Sequence, residues 1–150
     1  MPMTPSYRAM RVNGVFRARY LDTQHVTADY ACSNQDSGKT FFLASNAIDI
    51  TLPSAPVDGW HCRVIANADY ATAPSTVTIN GSGEFFAGSI GTATIDTATD
   101  GAIFDNAADD VIQFAAAALA GDWVDIVCNG TSWFVSGQSQ LAAGIASASS

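Results

Sequence analysis

His25, His61, Cys32, Cys62 and Cys128 are the side chains of this sequence best suited to chemistry. A thiol beside an imidazole makes a nucleophile, and an aspartate behind the imidazole would orient it. No Gly-x-Ser-x-Gly elbow and no cysteine-protease signature surrounds these residues. The sequence therefore predicts no catalytic residue and a protein that is not an enzyme. The same five residues are numerous enough to hold zinc. Their spacing shows no paired C-x-x-C or H-x-x-x-H pattern, so no metal site is expected. His61 and Cys62 are adjacent, and on a strand they point to opposite faces. Three cysteines, an odd number without paired spacing, read as small buried apolar side chains rather than a disulfide frame. That fits folding in a reducing cytoplasm.

Two further clusters bear on ligands. Asp96, Asp100, Asp105, Asn106, Asp109 and Asp110 crowd one short stretch. Calcium takes several loop oxygens, but the stretch lacks the spacing and the bidentate glutamate of a calcium loop. The plainer reading is that these aspartates are solvated or cap backbone N–H groups. Gly81-Ser82-Gly83, with Gly88 beyond it, has neither the lysine nor the helix of a phosphate loop, and reads as a hairpin turn. Asn80-Gly81-Ser82 and Asn129-Gly130-Thr131 match the glycosylation pattern but read as turn chemistry. No cofactor is expected.

Charge is divided unevenly along the chain. Residues 1–21 contain Arg8, Arg11, Arg17 and Arg19 and no acid, whereas residues 22–150 contain all 14 acids against Lys39 and Arg63. Every acid but Glu84 is aspartate, a residue of turns and a poor helix former. Charged residues make up only 13% of the chain, and hydrophobic residues 48%. Such a surface suits burial against neighbours, and an oligomer is expected. Arginines with Tyr7, Phe16 and Tyr20 could grip nucleic acid, but the acidic remainder would repel it. Protein is the better partner, because Arg makes bidentate contacts to carboxylates and an extended chain can add to a sheet edge. Tyr7, Arg8, Arg11, Arg17 and Arg19 are thus the expected partner-binding residues. No apolar run approaches the ~18 residues of a membrane span, and no signal peptide opens the sequence.

The elements that must carry these residues read as strands. Residues 1–14 hold two prolines and a glycine and form an extended basic arm. Strand-like segments follow at 15–21, 25–31, 39–45, 47–53, 60–67, 75–80 and 84–90, with a turn cluster at 33–38. Ile48, Ile50 and Leu52 alternate with polar or small residues, the period of a half-buried strand. Residues 123–128 and 131–135 flank Asn129-Gly130, the pair that suits a type I′ hairpin turn. Residues 107–120 read as strand then loop, with a short helix as the alternative. Domain boundaries are expected at 1–14 (arm), 15–137 (all-β domain) and 138–150 (a flexible Ser/Ala/Gly-rich tail). The expected fold is all-β, an antiparallel β-sandwich or a jelly-roll or barrel-like domain.

Several of these segments, taken in order, resemble a β-domain of tailed-bacteriophage virion proteins, both capsid decoration (cement) proteins and fibre-type appendages. The residues are Asp36-Ser37-Gly38-Lys39-Thr40-Phe41-Phe42-Leu43, Ile50-Thr51-Leu52-Pro53, Gly59-Trp60, Val77-Thr78-Ile79, Gly121-Asp122-Trp123-Val124 and Asn129 to Val135. The resemblance implies a trimeric, non-enzymatic module on the outside of a virion. Short length, no internal repeat and the basic arm favour a decoration protein. It would be made in the host cytoplasm and bind the major capsid protein on the capsid surface. The alternative is a fibre or head-fibre adhesin recognising a host receptor or glycan, with Trp60, Trp123 and Trp133 as candidate contacts if they are not core.

Overall fold

Alternating apolar and polar residues dominate the chain, and the computed structural model resolves that alternation into strands. It describes residues 10–12, 15–17, 22–81, 83–93 and 101–149. In chain order the strands are β1 (Met10–Val12), β2 (Val15–Arg17), β3 (Asp22–Val26), β4 (Tyr30–Ala31), β5 (Lys39–Leu43), β6 (Asp49–Thr51) and β7 (His61–Ala66). They continue as β8 (Ser75–Thr78), β9 (Phe86–Thr92), β10 (Ala102–Asp105), β11 (Val111–Phe114), β12 (Trp123–Cys128), β13 (Trp133–Ser139) and β14 (Ile145–Ala148). A single 3₁₀ turn, Asn34–Asp36, precedes β5. No α-helix occurs among the described residues, and none of them forms a helix long and apolar enough to cross a membrane.

The architecture is a two-sheet β-sandwich. One sheet has seven strands in the order β10-β9-β13-β12-β7-β5-β3, and the other has five, β14-β11-β8-β6-β4. Inward side chains of both sheets form one core around Phe41, Leu43, Ile50, Val64, Val77, Phe86, Ile112, Phe114 and Trp133. Trp60 and Trp133 meet edge to face at 5.6 Å in that core. Each also satisfies its indole N–H: Trp60 donates to the Ser33 carbonyl and Trp133 to Glu84.

The sheets are mixed rather than antiparallel, which corrects that part of the expected fold. From β3 to β8 the chain alternates between the sheets, and each strand pairs in parallel with the strand two before it. Parallel neighbours need a crossover. Here the crossover is a strand of the opposite sheet, so β3 to β8 wind as three coils of a short solenoid. The register stacks like side chains: Val26 lies opposite Leu43 and Leu43 opposite Ala66, while Ile50 lies opposite Val77. Only after β8 do antiparallel pairs predominate, with β13 and β9 parallel again. Gly88 makes that last pairing possible: its φ is +145°, and a Cβ there would lie 1.9 Å from the Val135 carbonyl oxygen.

Further differences concern turns and ends. The hairpin of β12 and β13 forms as expected, but its turn does not centre on Asn129-Gly130. Cys128 pairs with Trp133, and the Asn129 N–H donates to the Ser132 carbonyl. Gly130 alone takes a positive φ, +88°. The Asn129 carboxamide oxygen accepts the N–H groups of Thr131 and Ser132, which takes the place of a backbone turn bond. Residues 107–120 are strand then turns, β11 followed by a chain that buries Ala118. Of residues 138–150, expected as a flexible tail, 138 and 139 complete β13 and Ile145–Ala148 form β14, an edge strand on β11. Ile145, 2% exposed, seats that strand in the core. At the other end β1 and β2 pair as an antiparallel hairpin, so the expected boundary at residue 14 falls between two paired strands.

Candidate functional site

Two places gather polar chemistry: a buried carboxylate knot at the start of β5, and the outer face of the seven-stranded sheet that it borders. The knot is built by a short local sequence, Ser33-Asn34-Gln35-Asp36, which caps its own 3₁₀ turn. One Asp36 carboxylate oxygen accepts the Ser33 N–H (2.7 Å) and hydroxyl (2.9 Å). The other accepts the Tyr30 hydroxyl (3.0 Å) and Lys39 Nζ (2.6 Å). Burial by itself would raise the Asp36 pKa, but the donors from Lys39, Ser33 and Tyr30 outweigh it and hold the carboxyl down at about 2. Its charge pushes the neighbouring Tyr30 hydroxyl up, after burial, and Lys39 upward chiefly through their hydrogen bond.

The outer face follows from strand periodicity. Along β5, β7, β12 and β13, Phe41, Val64, Ile126 and Val135 point inward, so their chain neighbours point out. Register then aligns the outward residues in rows across the strands. A polar row runs Thr40, Arg63, Asp125, Ser136. On one side lie His25, Phe42, Ile65 and Trp123, and on the other His61, Val127 and Phe134. Val127 and Phe134 are 44% and 42% exposed although large and apolar.

The polar row is held in place by stacking. Arg63 lies over the Trp123 ring, 4.5 Å from its centroid, and forks onto Asp125 through Nε and Nη2, each at 2.6 Å. His25 stacks on Phe42 with ring centroids 5.2 Å apart and planes 18° apart. An ion pair this exposed adds little stability, but the planar fork fixes where both groups stand. The face forms a groove of about 850 Å³ whose lining includes Phe42, Phe134, Arg63, Asp125, His61 and Ser136. Lys39 and Arg63 are the two cations of residues 22–150, and both line it.

The residues expected from sequence distribute as follows. Tyr7, Arg8 and Arg19 lie outside the described residues, as do Asp96 and Asp100. Arg11 and Arg17 stand on β1 and β2, where Arg11 is opposite Phe16 and Arg17 opposite Met10. His25 and His61 are not brought to a thiol: His25 stacks on Phe42, and the His61 ring contacts the Gly59 carbonyl at 2.9 Å. The three cysteines are free and buried as expected. Burial raises the Cys32 thiol to about 12 and the Cys62 thiol well above its ordinary value, which disfavours the thiolate. Of the three tryptophans, Trp60 and Trp133 are core and Trp123 reaches the outer face. Asp105, like Asp29 and Asp69, caps a backbone N–H group as expected.

Arg63, Asp125 and Val127 were not read from sequence as site residues, and Phe42 and Phe134 entered only through the resemblance. Their signal was a large or charged residue at the outward phase of an otherwise apolar strand, as Phe134 is between Trp133 and Val135. Compared with known proteins, the chain matches no family model, no curated protein and no solved structure.

Proposed function

We propose that this chain is a non-catalytic structural protein of a bacteriophage virion, a decoration (cement) protein that binds the outside of an assembled capsid and braces it. The observation that carries this reading is the charge division and where it falls in the fold. The basic segment 1–21 leads straight into β3, the last described strand of the seven-stranded sheet, while the sandwich beyond it holds all 14 acids. An edge strand offers unpaired backbone groups to another chain, and the arginines that precede it in the sequence suit carboxylates of a protein partner. Arg8, Arg11, Arg17 and Arg19, with Tyr7, would hold the major capsid protein while the acidic sandwich faces solvent. Assembly as a trimer would let three arms act together, and multivalency would make the total binding far tighter than one arm allows. Capsid expansion or rupture would first have to break those contacts.

Mixing the purified protein with undecorated capsids tests this. Saturable binding is expected, and deleting residues 1–14 should lower capsid occupancy by about tenfold or more while the sandwich stays folded. Unchanged occupancy after the deletion sinks the arm's role. Binding to host cells but not to capsids favours the adhesin alternative and overturns the decoration reading.

A further inference from the structure

The outer groove of the seven-stranded sheet has a composition that capsid docking through the arm and the β3 edge does not use. We propose that it is a binding site for a short neutral oligosaccharide. The inference stands apart from the decoration reading, since it concerns a different face and different residues.

Size comes first. A groove of about 850 Å³ falls within the roughly 300–1,000 Å³ of small-molecule sites. Phe42 on β5 and Phe134 on β13 both line it, on strands separated by β7 and β12. Three strand spacings across the sheet, and the four residues along β13 from Gln138, which is in line with Phe42, to Phe134, place the two about 20 Å apart, a span that suits a short chain of sugar rings rather than one ring.

Surface chemistry then selects the class. A purely apolar ligand or protein side chain would cover Arg63 and Asp125, whose side chains are 45% and 41% exposed. It would strip their water without replacing those hydrogen bonds. A polyol returns them: Arg63 has N–H donors beyond the two spent on Asp125, and Asp125 and Ser136 offer acceptors. Saccharides also carry apolar C–H faces, which pack on the Phe42 and Phe134 rings.

Charge narrows the class to neutral sugars. Lys39 and Arg63 are each already paired, with Asp36 and Asp125 at 2.6 Å, so neither is a free counter-ion for an anion. The chain's net charge of −8 opposes an acidic ligand further. The stacked and forked side chains are also held before any ligand arrives, which limits the ordering cost of binding.

The test uses the full chain, isotope-labelled for amide NMR and titrated with lactose, maltotriose, cellotriose, chitotriose and mannotriose, with sialyllactose as the anionic comparison. At least one neutral sugar should bind saturably, at an affinity of about millimolar, and shift amides of Thr40, Arg63, Asp125 and Phe134. Phe134→Ala, an exposed change, should weaken that binding about tenfold with the unfolding temperature unchanged. Asp125→Asn should weaken it too. The proposal is overturned if no neutral sugar shifts these amides. It is equally overturned if shifts survive Phe134→Ala, if sialyllactose binds best, or if the amides respond only to protein concentration, which would mark a contact between copies.

Discussion

Asp36 is 5% exposed, and its charge is held by four donors. That arrangement makes its charge a support of the fold that acid removes. Its pKa falls from 3.8 in the unfolded chain to about 2 in the folded one. At 1.36 kcal/mol per pH unit this contributes about 2.4 kcal/mol at neutral pH. The folded value is depressed, so the contribution is full above about pH 4 and is lost as pH falls toward 2. By pH 3 about half remains. In Asp36→Asn the amide nitrogen must face either the Ser33 N–H or Lys39, both donors, so at least one bond becomes a repulsion. The variant should lose about 2–3 kcal/mol at pH 6. Urea unfolding followed by fluorescence of the buried Trp60 and Trp133, at pH 6, 4 and 3, measures both effects. The gap between the parent and Asp36→Asn should narrow by about 1 kcal/mol between pH 6 and pH 3. Other carboxylates titrate in both proteins and cancel in the difference. A gap that stays constant with pH would refute the assignment of this stability to the Asp36 charge.

Two other substitutions probe the assembly of the sheets. Asp122 is fully buried, and its carboxylate accepts the N–H groups of Leu119 and Gln140 and the Ser139 hydroxyl, tying the β11–β12 connection to the end of β13. Asp122→Ala strands those donors and should cost about 3–5 kcal/mol, with hydrogen exchange accelerating first in β14; uniform exchange across both sheets would contradict the tie. Gly88→Ala would press a methyl group against the Val135 carbonyl and should cost about 2–3 kcal/mol, lowering Tm by about 5–10 °C. An unchanged Tm would show that β9 and β13 can separate there without loss.

Much of the core was legible because inward and outward phase is a local property. Ile48, Ile50 and Leu52 alternate in the sequence and are buried in the structure. The β12–β13 hairpin was equally local, its partners being only a few residues apart in the chain. Its turn was misplaced by one residue, because the Asn129 side chain accepts the bond that a type I′ backbone would make. The tail misled for a compositional reason. Ser, Ala and Gly around Ile145 look unstructured, yet one isoleucine in the core and a ladder to β11 order them. The turn at 33–38 was readable from its composition, but what Asp36 holds together there was not, since the position of the Lys39 ammonium depends on how β5 leaves the turn.

From the sequence alone came an all-β fold, with sandwich and barrel both open, the buried cysteines and the separation of four arginines from fourteen acids. Each depends on composition or on residues within one strand's length. The tertiary structure decided that β3, β5 and β7 lie in parallel and that Arg63 meets Asp125, 62 residues away. It also brought Phe42 and Phe134 to the lining of one groove. A strand's period is the same whether its neighbour runs parallel or antiparallel. Only the path of the chain between the sheets chooses the neighbour, and with it the register that builds the groove.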